Sequence, residues 1–506
     1  MTSNFPWPTI IVLLPILAGL PIPLCPPHGG NNTVRWYTPG VCPLEFLPII
    51  CASRYCFDFD NPFVQWREDY DRINVPPGFH WRLGVDGLSM GLILPTGLVT
   101  TLATPAAWPV TRGPRLFYPS TLAMYSGQVG LFASQDISLS FPAWEPEPIP
   151  VYLPLAPWGG KRRLYAATKS IPYTAGGSIF LSAGAITLGG LYAPPGPAPD
   201  FRVPAGSRSH PVAPEMASYP SFPIAYAVKL PIIPSHTWLP DTHGEAHYST
   251  CTLLAGVLPK MGGHGPIRIN MELLPRAHSI FAPRLTLVGA IQIVYAALVS
   301  INQRGLKGRI AYPPVPHTGF VLIGIGSTTE VGLRGAVLQM ISHGLIGAAP
   351  SSLAGTGCDR TRTPFIGRMG GMAVPMPGMF TMFSSFSFAS IAPPGMVGFV
   401  AELMVHPGVV SSRNYSSGSK MIVIAVGSIG MILTPIHLPP MLRRMFYGYK
   451  VRTTPAPRAS VDSGPREIFI PLCLPLPMIG MGLYPDSVLS LRQSGIELIL
   501  VPARGS

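Results

Sequence analysis

Apolar runs of membrane-spanning length recur from one end of this chain to the other. They occupy residues 5–25, 84–108, 116–132, 137–158, 170–192, 218–236, 248–262, 281–301, 310–325, 331–354, 372–405, 421–441 and 468–491, with a weaker stretch near 41–52. At about 20 residues per crossing, the pattern predicts roughly 14 transmembrane helices. Only 11% of the 506 residues are charged, against about 25% in an ordinary soluble domain. Too little polar sequence remains to coat so many helices in water. In lipid, each backbone amide must be satisfied inside its own segment, which leaves helices as the economical solution. The chain therefore reads as an all-α polytopic protein forming one membrane domain over residues 1–506. Residues 5–25 read as a retained first helix instead of a cleaved signal peptide, because spans continue throughout the chain. The longest polar connections lie at 58–82 and 194–214.

The net charge of +13 does not point to nucleic acid. The basic residues sit in short loops: Arg112 and Arg115; Lys161, Arg162 and Arg163; Arg304, Lys307 and Arg309; Arg360, Arg362 and Arg368; Arg443, Arg444, Lys450 and Arg452. With the spans numbered in order, these clusters follow the third, fifth, ninth, eleventh and thirteenth. All of them then lie on one side of the membrane, as the positive-inside rule requires. A nucleic-acid binder would carry one basic face with interleaved aromatic residues, a pattern absent from this sequence. The seven cysteines have no CxxC pairing and read as small apolar residues, not as metal or cluster ligands. No phosphate-cradling or dinucleotide-binding glycine motif is present. The chain is thus expected to bind no metal, nucleotide or redox group itself.

Against this apolar background, a few ionisable residues stand out. Lys229 lies in IAYAVKLPIIP and Lys260 in TLLAGVLPKMG; Glu145 follows FPAW, and Glu402 closes GMVGFVAE. His317 and His343 have similar settings. An ionisable side chain at membrane depth costs at least about 2.5–3.5 kcal/mol, so it seldom persists without a task. Together these residues read as a path for protons or cations. Two of them adjoin apolar segments broken by proline or glycine, KLPIIPSHTWLP (229–240) and SIAPPGMVGFVAE (390–402). Paired broken segments in two halves of a chain mark transport sites in secondary transporters. The residues His236, Asp241, His243, Glu245 and His247 superficially suggest a metal cluster, but their spacing fits no helical ligand pattern, and a helix-end structural role is expected. Glu147 is expected to face the same polar interior as Glu145.

The motifs WRLGVDGLSMGLIL, AMYSGQVGLFASQD, YTAGGSIF, KLPIIPSHTWLPDTHGEAHYSTC, RINMELLP, GRIAY, QMISHGLIGAA and MFYGYK resemble the antiporter-like membrane subunits of the complex I family over essentially the whole chain. HGEAHYST, from His243, is similar to the plastid branch. The resemblance implies about 14 helices with two inverted five-helix repeats, at about 115–265 and 278–450, each with a broken helix, followed by a C-terminal helix and tail (451–506). It implies a proton-translocating subunit of a thylakoid NAD(P)H– or ferredoxin–plastoquinone oxidoreductase, partnered by other membrane subunits of the complex and by the lipid bilayer. Iron–sulfur clusters and the electron donor would sit elsewhere in the complex. Mitochondrial or bacterial complex I, a stand-alone cation/proton antiporter subunit and a purely structural scaffold remain alternatives.

The resemblance also assigns roles. Glu145 matches the glutamate of the fifth span, Lys229 the broken-helix lysine, Lys260 the central lysine and Glu402 the second broken-helix glutamate. His317 and His343 match histidines of the central polar axis. Glu145 is expected to pair with Lys229; withdrawing it would let Lys229 pass its proton towards Lys260 and, through the histidines, to Glu402. Lysine suits such a task because a buried amine can release its proton, whereas arginine does not. An imidazole can both accept and donate.

One conflict runs through the sequence. Proline numbers 62, more than twice the usual share of about 5%, and inside a helix each costs about 3 kcal/mol unless a neighbour re-satisfies the backbone. Where the family usually has leucine, this chain has Pro146, Pro148, Pro154, Pro223, Pro259, Pro266, Pro350, Pro393 and Ser235. Ser351 and Ser352 stand for phenylalanine; His210, His264 and His437 for tyrosine; Arg284 for tryptophan; Thr252 for methionine. Each is a single C-to-U change in a codon, which points to an unedited organellar gene whose working product is read from edited RNA. None of the proton-path residues is affected. Peptide mass spectrometry of the native protein is expected to find leucine at 146, 148 and 259; proline at all three would refute editing.

Overall fold

The computed structural model describes residues 5–25, 30–59, 61, 63–70, 81–190, 212–449 and 462–489. Most of the 194–214 connection, His210, Lys450, and residues 451–461 (Arg452 among them) and 490–506 of the C-terminal part lie outside them. The described chain is helical. Six stretches are long and apolar enough to cross a membrane: Trp7–Leu24, Gly87–Ala106, Arg163–Leu188, Pro275–Ile301, Ser417–Phe446 and Pro465–Leu483. Their outward positions carry large apolar side chains such as Ile179, Met421, Ile432 and Leu476, as a lipid-facing surface requires.

The N-terminal part contains α1 (Trp7–Gly19), α2 (Gly30–Tyr55), a short hairpin of β1 (Gln65–Tyr70) and β2 (Trp81–Val85), α3 (Gly87–Ala106) and α4 (Pro114–Ala133). The hairpin corrects the expectation of a purely α-helical chain. Its strands are antiparallel, and Asp69 stands directly opposite Arg82, with which it forms an ion pair of 3.1 Å. Opposed charges of this kind favour strand pairing. The Trp81 indole donates to Thr9 Oγ1 at 2.9 Å, fastening the hairpin onto α1. Asp86 caps α3 by accepting from the Ser89 amide at 2.9 Å, as a short acidic side chain does at a helix start.

Prolines then divide what reads as one apolar run. Residues 137–158 form α5 (Ile137–Trp144) and α6 (Pro148–Trp158), with the break at residues 145–147. Pro146 and Pro148 remove amide donors there, and the ladder cannot continue through them. After α7 (Arg163–Gly190) and α8 (Val212–Ser218), a second break separates α9 (Ser221–Lys229) from α10 (Trp238–Glu245), with Lys229 as the last residue of α9. Then come α11 (Tyr248–Gly256), α12 (Leu258–Gly265), α13 (Pro275–Ile301), α14 (Leu306–Ala311), α15 (Pro314–Gly326) and the long α16 (Glu330–Thr361). The 372–405 run divides at residues 391–396 into α17 (Pro377–Ser390) and α18 (Val397–Ser411). The chain continues with α19 (Ser417–Leu433), α20 (Leu438–Phe446), α21 (Pro465–Cys473), α22 (Pro475–Leu483) and α23 (Asp486–Leu489). The interior is formed where α16 packs along α11, α15 and α18, while α13 runs beside α15.

Hydrogen bonds tie the basic loops into one end of the bundle. The Trp158 indole donates to Arg112 O at 2.7 Å, and the Gly160 amide to Glu245 O at 2.7 Å. Lys307 Nζ donates to Ala246 O at 3.2 Å. The Leu306 amide donates to Pro364 O at 2.8 Å, and the Met372 amide to Met445 O at 3.3 Å. The clusters at 112–115, 161–163, 304–309, 360–368 and 443–444 therefore share an end, as their numbering along the chain predicts.

Close packing around the α9–α10 break depends on a glycine. A Cβ on Gly262 of α12 would lie 2.4 Å from the Leu230 backbone nitrogen, a contact that only backbone movement could relieve. Gly262→Ala is expected to destabilise the protein by about 1–3 kcal/mol through overpacking, read as a lower Tm of the detergent-solubilised complex; an unchanged Tm would contradict this packing.

Candidate proton-transfer site

The site is built from two adjoining groups of buried polar side chains. In the first, Lys229 at the end of α9 extends its Nζ to Glu147 Oε2 at 2.6 Å and to Trp144 O at 3.0 Å. The ammonium also lies 3.8 Å from the centroid of the Trp144 ring, where a cation is attracted to the aromatic face. The other carboxylate oxygen of Glu147 accepts from Gln128 Nε2 at 3.2 Å. Trp238, opening α10, donates its indole N–H to Val228 O at 2.8 Å, which fixes the end of α9 and so the origin of the lysine.

The pairing differs from the expectation that Glu145 holds Lys229. Glu147 makes the ion pair and is the deeply buried acid, whereas Glu145 is half-buried and its Oε1 is enclosed without a hydrogen bond. The cause is the break that Pro146 and Pro148 impose on the encoded chain, so this pairing belongs to the unedited sequence. With the chain turning at residues 145–147, Glu147 points inward between α4 and α9, while Glu145 ends α5.

The second group begins beside the residue after Lys229. Leu230 lines a cavity of about 200 Å³ together with Lys260, His317, Gln339 and His343. Lys260, in α12, is buried instead of reaching a membrane surface. Its Nζ donates to Ala255 O at 2.6 Å and lies 3.1 Å from His343 Nδ1. The His343 ring is 5.0 Å, centroid to centroid, from that of His317. His317 Nδ1 is 3.2 Å from Glu402 Oε1 and 3.0 Å from Gln339 Nε2. The amide of Gln339 also donates to Glu402 Oε1 at 3.4 Å. Lys260, His343, His317 and Glu402 therefore form a continuous amine–imidazole–imidazole–carboxylate series, carried by α12, α16, α15 and α18. The basic side chain that Glu402 lacks in sequence is the spatially adjacent imidazole of His317.

A larger cavity of about 440 Å³ adjoins the two histidines on their other side and is also lined by Ser390, Thr434 and His437. His437 contacts Thr434 O at 2.7 Å through Nδ1, and its Nε2 is buried without a partner. The residues of the HTWLPDTHGEAH segment go to separate structural tasks. Asp241 pairs with Lys169 at 2.6 Å, Glu245 Oε2 accepts from the Arg162 amide at 2.9 Å, and His247 caps α11 through the Ser249 amide at 3.4 Å. Among the described residues, no group of three or more His, Cys, Asp or Glu side chains is placed to hold a metal ion.

Three contributors escaped the reading of the sequence. Gln128 and Gln339 are uncharged, so a search for charges passes over them, although a lone amide in an apolar helix is itself a mark of a polar interior. Arg268 forms ion pairs with Asp86 at 2.5 Å and with Glu272 at 3.0 Å, joining α3 to the segment between α12 and α13. Its partners are 182 and 4 residues away in the chain (268 − 86 and 272 − 268), so only the nearer one has a helical spacing to betray it.

A membrane bundle with such an array has the architecture of an antiporter-like transport subunit. A family model described as NADH:quinone oxidoreductase/Mrp antiporter, transmembrane, matches residues 134–434. The chain is 66% identical over 501 residues to NAD(P)H-quinone oxidoreductase chain 4, chloroplastic, of Huperzia lucidula, covering 98% of this chain and 99% of that one. The protein of the same name from Physcomitrium patens is 63% identical over 499 residues, with the same coverage. Among solved structures, a chain of respiratory complex I from Thermus thermophilus with bound NADH superposes with a TM-score of 0.81 at 23% identity, over 97% of this chain and 99% of that one. A chain of the Mrp complex from Dietzia sp. DQ12-45-1b gives 0.81 at 16% identity, over 98% of both. The chain belongs to the NADH:quinone oxidoreductase/Mrp antiporter membrane family, among the chloroplast chain 4 members.

The two acids at the α5–α6 break make an asymmetric prediction. Glu147→Ala leaves the buried ammonium of Lys229 without its direct carboxylate partner, a loss that typically costs about 3–5 kcal/mol. Glu145→Ala leaves that ion pair intact and is expected to cost under about 1 kcal/mol, in the range of changes away from buried networks. Thermal unfolding of the solubilised complex carrying proline at 146 and 148 checks the order; equal losses would refute the assigned pairing.

Proposed function

We propose that this chain is a proton-translocating membrane subunit of a thylakoid NAD(P)H– or ferredoxin–plastoquinone oxidoreductase, and that Glu145, Glu147, Lys229, Lys260, His343, His317 and Glu402 carry the protons. The observation that supports it most is the buried, contacting series from Lys260 to Glu402, which has more ionisable groups than a structural contact needs. Chloroplast relatives named for that oxidoreductase, alike over nearly the full chain, support the choice of complex. Its other membrane subunits are the partners, and NAD(P)H or ferredoxin, iron–sulfur clusters and plastoquinone belong to the complex outside this chain. The finer architecture is part of the proposal: about 14 transmembrane helices, with inverted five-helix repeats at about 115–265 and 278–450 and a C-terminal helix and tail from 451. The breaks at α9–α10 and α17–α18, each beside a proton-path residue, support that division.

The chemistry follows from the geometry. Burial disfavours the Lys229 ammonium, while Glu147, the Trp144 carbonyl and the Trp144 ring favour it. Any event that draws Glu147 away, or protonates it, removes the main stabilisation and lets the lysine give up its proton. The cavity shared by Leu230 and Lys260 offers the next acceptor. From Lys260 the proton passes to His343 and His317, each of which accepts on one ring nitrogen and donates from the other, and so to Glu402. Gln339 touches both His317 and Glu402 and holds the last step in register. Driving energy comes from electron transfer elsewhere in the complex.

Lys229→Ala is expected to abolish proton translocation driven by quinone reduction in membrane vesicles while the complex still assembles. Normal translocation would favour a scaffold role. Isolation of the chain without any quinone-reductase subunit would favour a stand-alone antiporter.

A further inference from the structure

The path above leaves one deeply buried acid unused. Glu45 lies midway along α2 and is 3% exposed. Both of its carboxylate oxygens are enclosed, and among the described residues no well-formed hydrogen bond reaches them, the nearest donor being the Tyr125 hydroxyl. Its neighbours Leu44 and Leu47 face outward at 67% and 59% exposure, so the acid is turned into the bundle while the flanks of the helix meet the lipid or an adjacent subunit. An intramembrane carboxyl without a cation is by default a functional group.

The surroundings of Glu45 have a direction. Tyr125 of α4 presents its hydroxyl to Glu45, and that hydroxyl is likewise buried and without a formed hydrogen bond. The approach depends on Gly97 of α3, where a Cβ would sit 3.2 Å from the Tyr125 oxygen and 2.5 Å from the Phe46 ring. The hydroxyls of Thr96 and Thr100 on α3 are bonded back to Leu92 O and Thr96 O, so they do not serve the acid. Cys42, one turn before Glu45, is the other titratable group against it. Three residues beyond Tyr125, on the same face of α4, stands Gln128. Its amide nitrogen holds Glu147 Oε1 at 3.2 Å, and its own oxygen is buried and unpartnered. Under-satisfied buried oxygens thus lie on α2 at Glu45 and on one face of α4 at Tyr125 and Gln128, the last beside the carboxylate that holds Lys229. Buried polar atoms are almost always bonded to protein or to water, and a polar, enclosed run of this kind is where bridging water is retained.

We propose that Glu45, Tyr125 and Gln128 form a lateral proton branch ending on Glu147, with Glu45 holding the proton as a neutral carboxylic acid. The acid gives its proton to the Tyr125 side. The phenol, directly or through bridging water, accepts one proton as it releases its own, and Glu147 receives the last one. No bond other than O–H forms or breaks, and no charge is created or lost. Gln128 is a positioning residue that orients the bridge and holds Glu147. A proton delivered this way neutralises Glu147 and so frees Lys229, which gives the main path a second input from the α2 side. The inference rests on the reading of the Lys229–Glu147 pair given above.

The test uses the native complex in its membrane. Dicyclohexylcarbodiimide enters from the lipid phase and converts protonated buried carboxyls to stable adducts, which peptide mass spectrometry locates. Glu45 is expected to be modified. Absence of an adduct there would overturn the proposal. Glu45→Gln and, separately, Tyr125→Phe are expected to lower proton translocation several-fold with quinone reduction and assembly retained, and Glu45→Asp to restore part of the loss. Wild-type translocation in both Glu45→Gln and Tyr125→Phe would overturn the branch even if Glu45 is labelled. If Glu45→Gln fails to assemble, the labelling and the milder tyrosine variant decide. Labelling needs no turnover, so normal pumping by Lys229→Ala would defeat the functional reading without touching the adduct at Glu45.

Discussion

The ion pair between Lys229 and Glu147 is the interaction on which the rest of this structure depends. An ammonium at this depth is tolerable only because a carboxylate, a backbone carbonyl and an aromatic face converge on it. Each of those partners requires a break in regular structure. The carbonyl and ring come from Trp144 at the end of one interrupted helix, the carboxylate from the turn that follows, and the lysine from the end of another interrupted helix. Continuous helices would have satisfied their own backbones and left no carbonyl free to receive a side chain. The irregularities that are costly in a bilayer are thus the features that make a buried charge stable enough to keep.

The same economy governs the second group. Lys260, His343, His317 and Glu402 are placed by four different helices; the end contacts are close to 3 Å and the two imidazole rings are 5.0 Å apart, because small residues let those helices approach. Gly262 allows α12 to lie directly on the chain after Lys229, which brings the cavity of Lys260 to within one residue of the first ion pair. An amine, two imidazoles and a carboxylate in series provide alternating donors and acceptors without a permanent unpaired charge. Redox chemistry is not required of such a device; it needs only an outside event able to shift one carboxylate or its proton.

Much of this was legible beforehand, and the reasons differ from residue to residue. The lysines and Glu402 stood out because charge in a long apolar run is rare. The breaks stood out because KLPIIP and APPG cannot continue a helix. The basic loops could be assigned to one side because their spacing follows span parity, and the hydrogen bonds among those loops agree. What failed was finer. Glu145 appeared to be the partner of Lys229, since the spacing of two acids across a proline pair does not reveal which of them the turn will aim inward. The hairpin at 65–85 was missed because its strands are short and lie in a polar connection. Gln128, Gln339 and Arg268 were passed over because their importance lies in neighbours distant in sequence.

Sequence alone determined that this chain lives in a bilayer, where two of its apolar segments break, and which side chains are too polar to be there by accident. These follow from local rules: transfer cost per residue, the missing amide of proline and the length of a membrane crossing. Tertiary structure decided which acid meets which base, that Glu402 faces His317, and that Glu45 faces Tyr125. Those outcomes depend on how separate helices pack, and packing is set by contacts between residues far apart in the chain, beyond the reach of any local pattern.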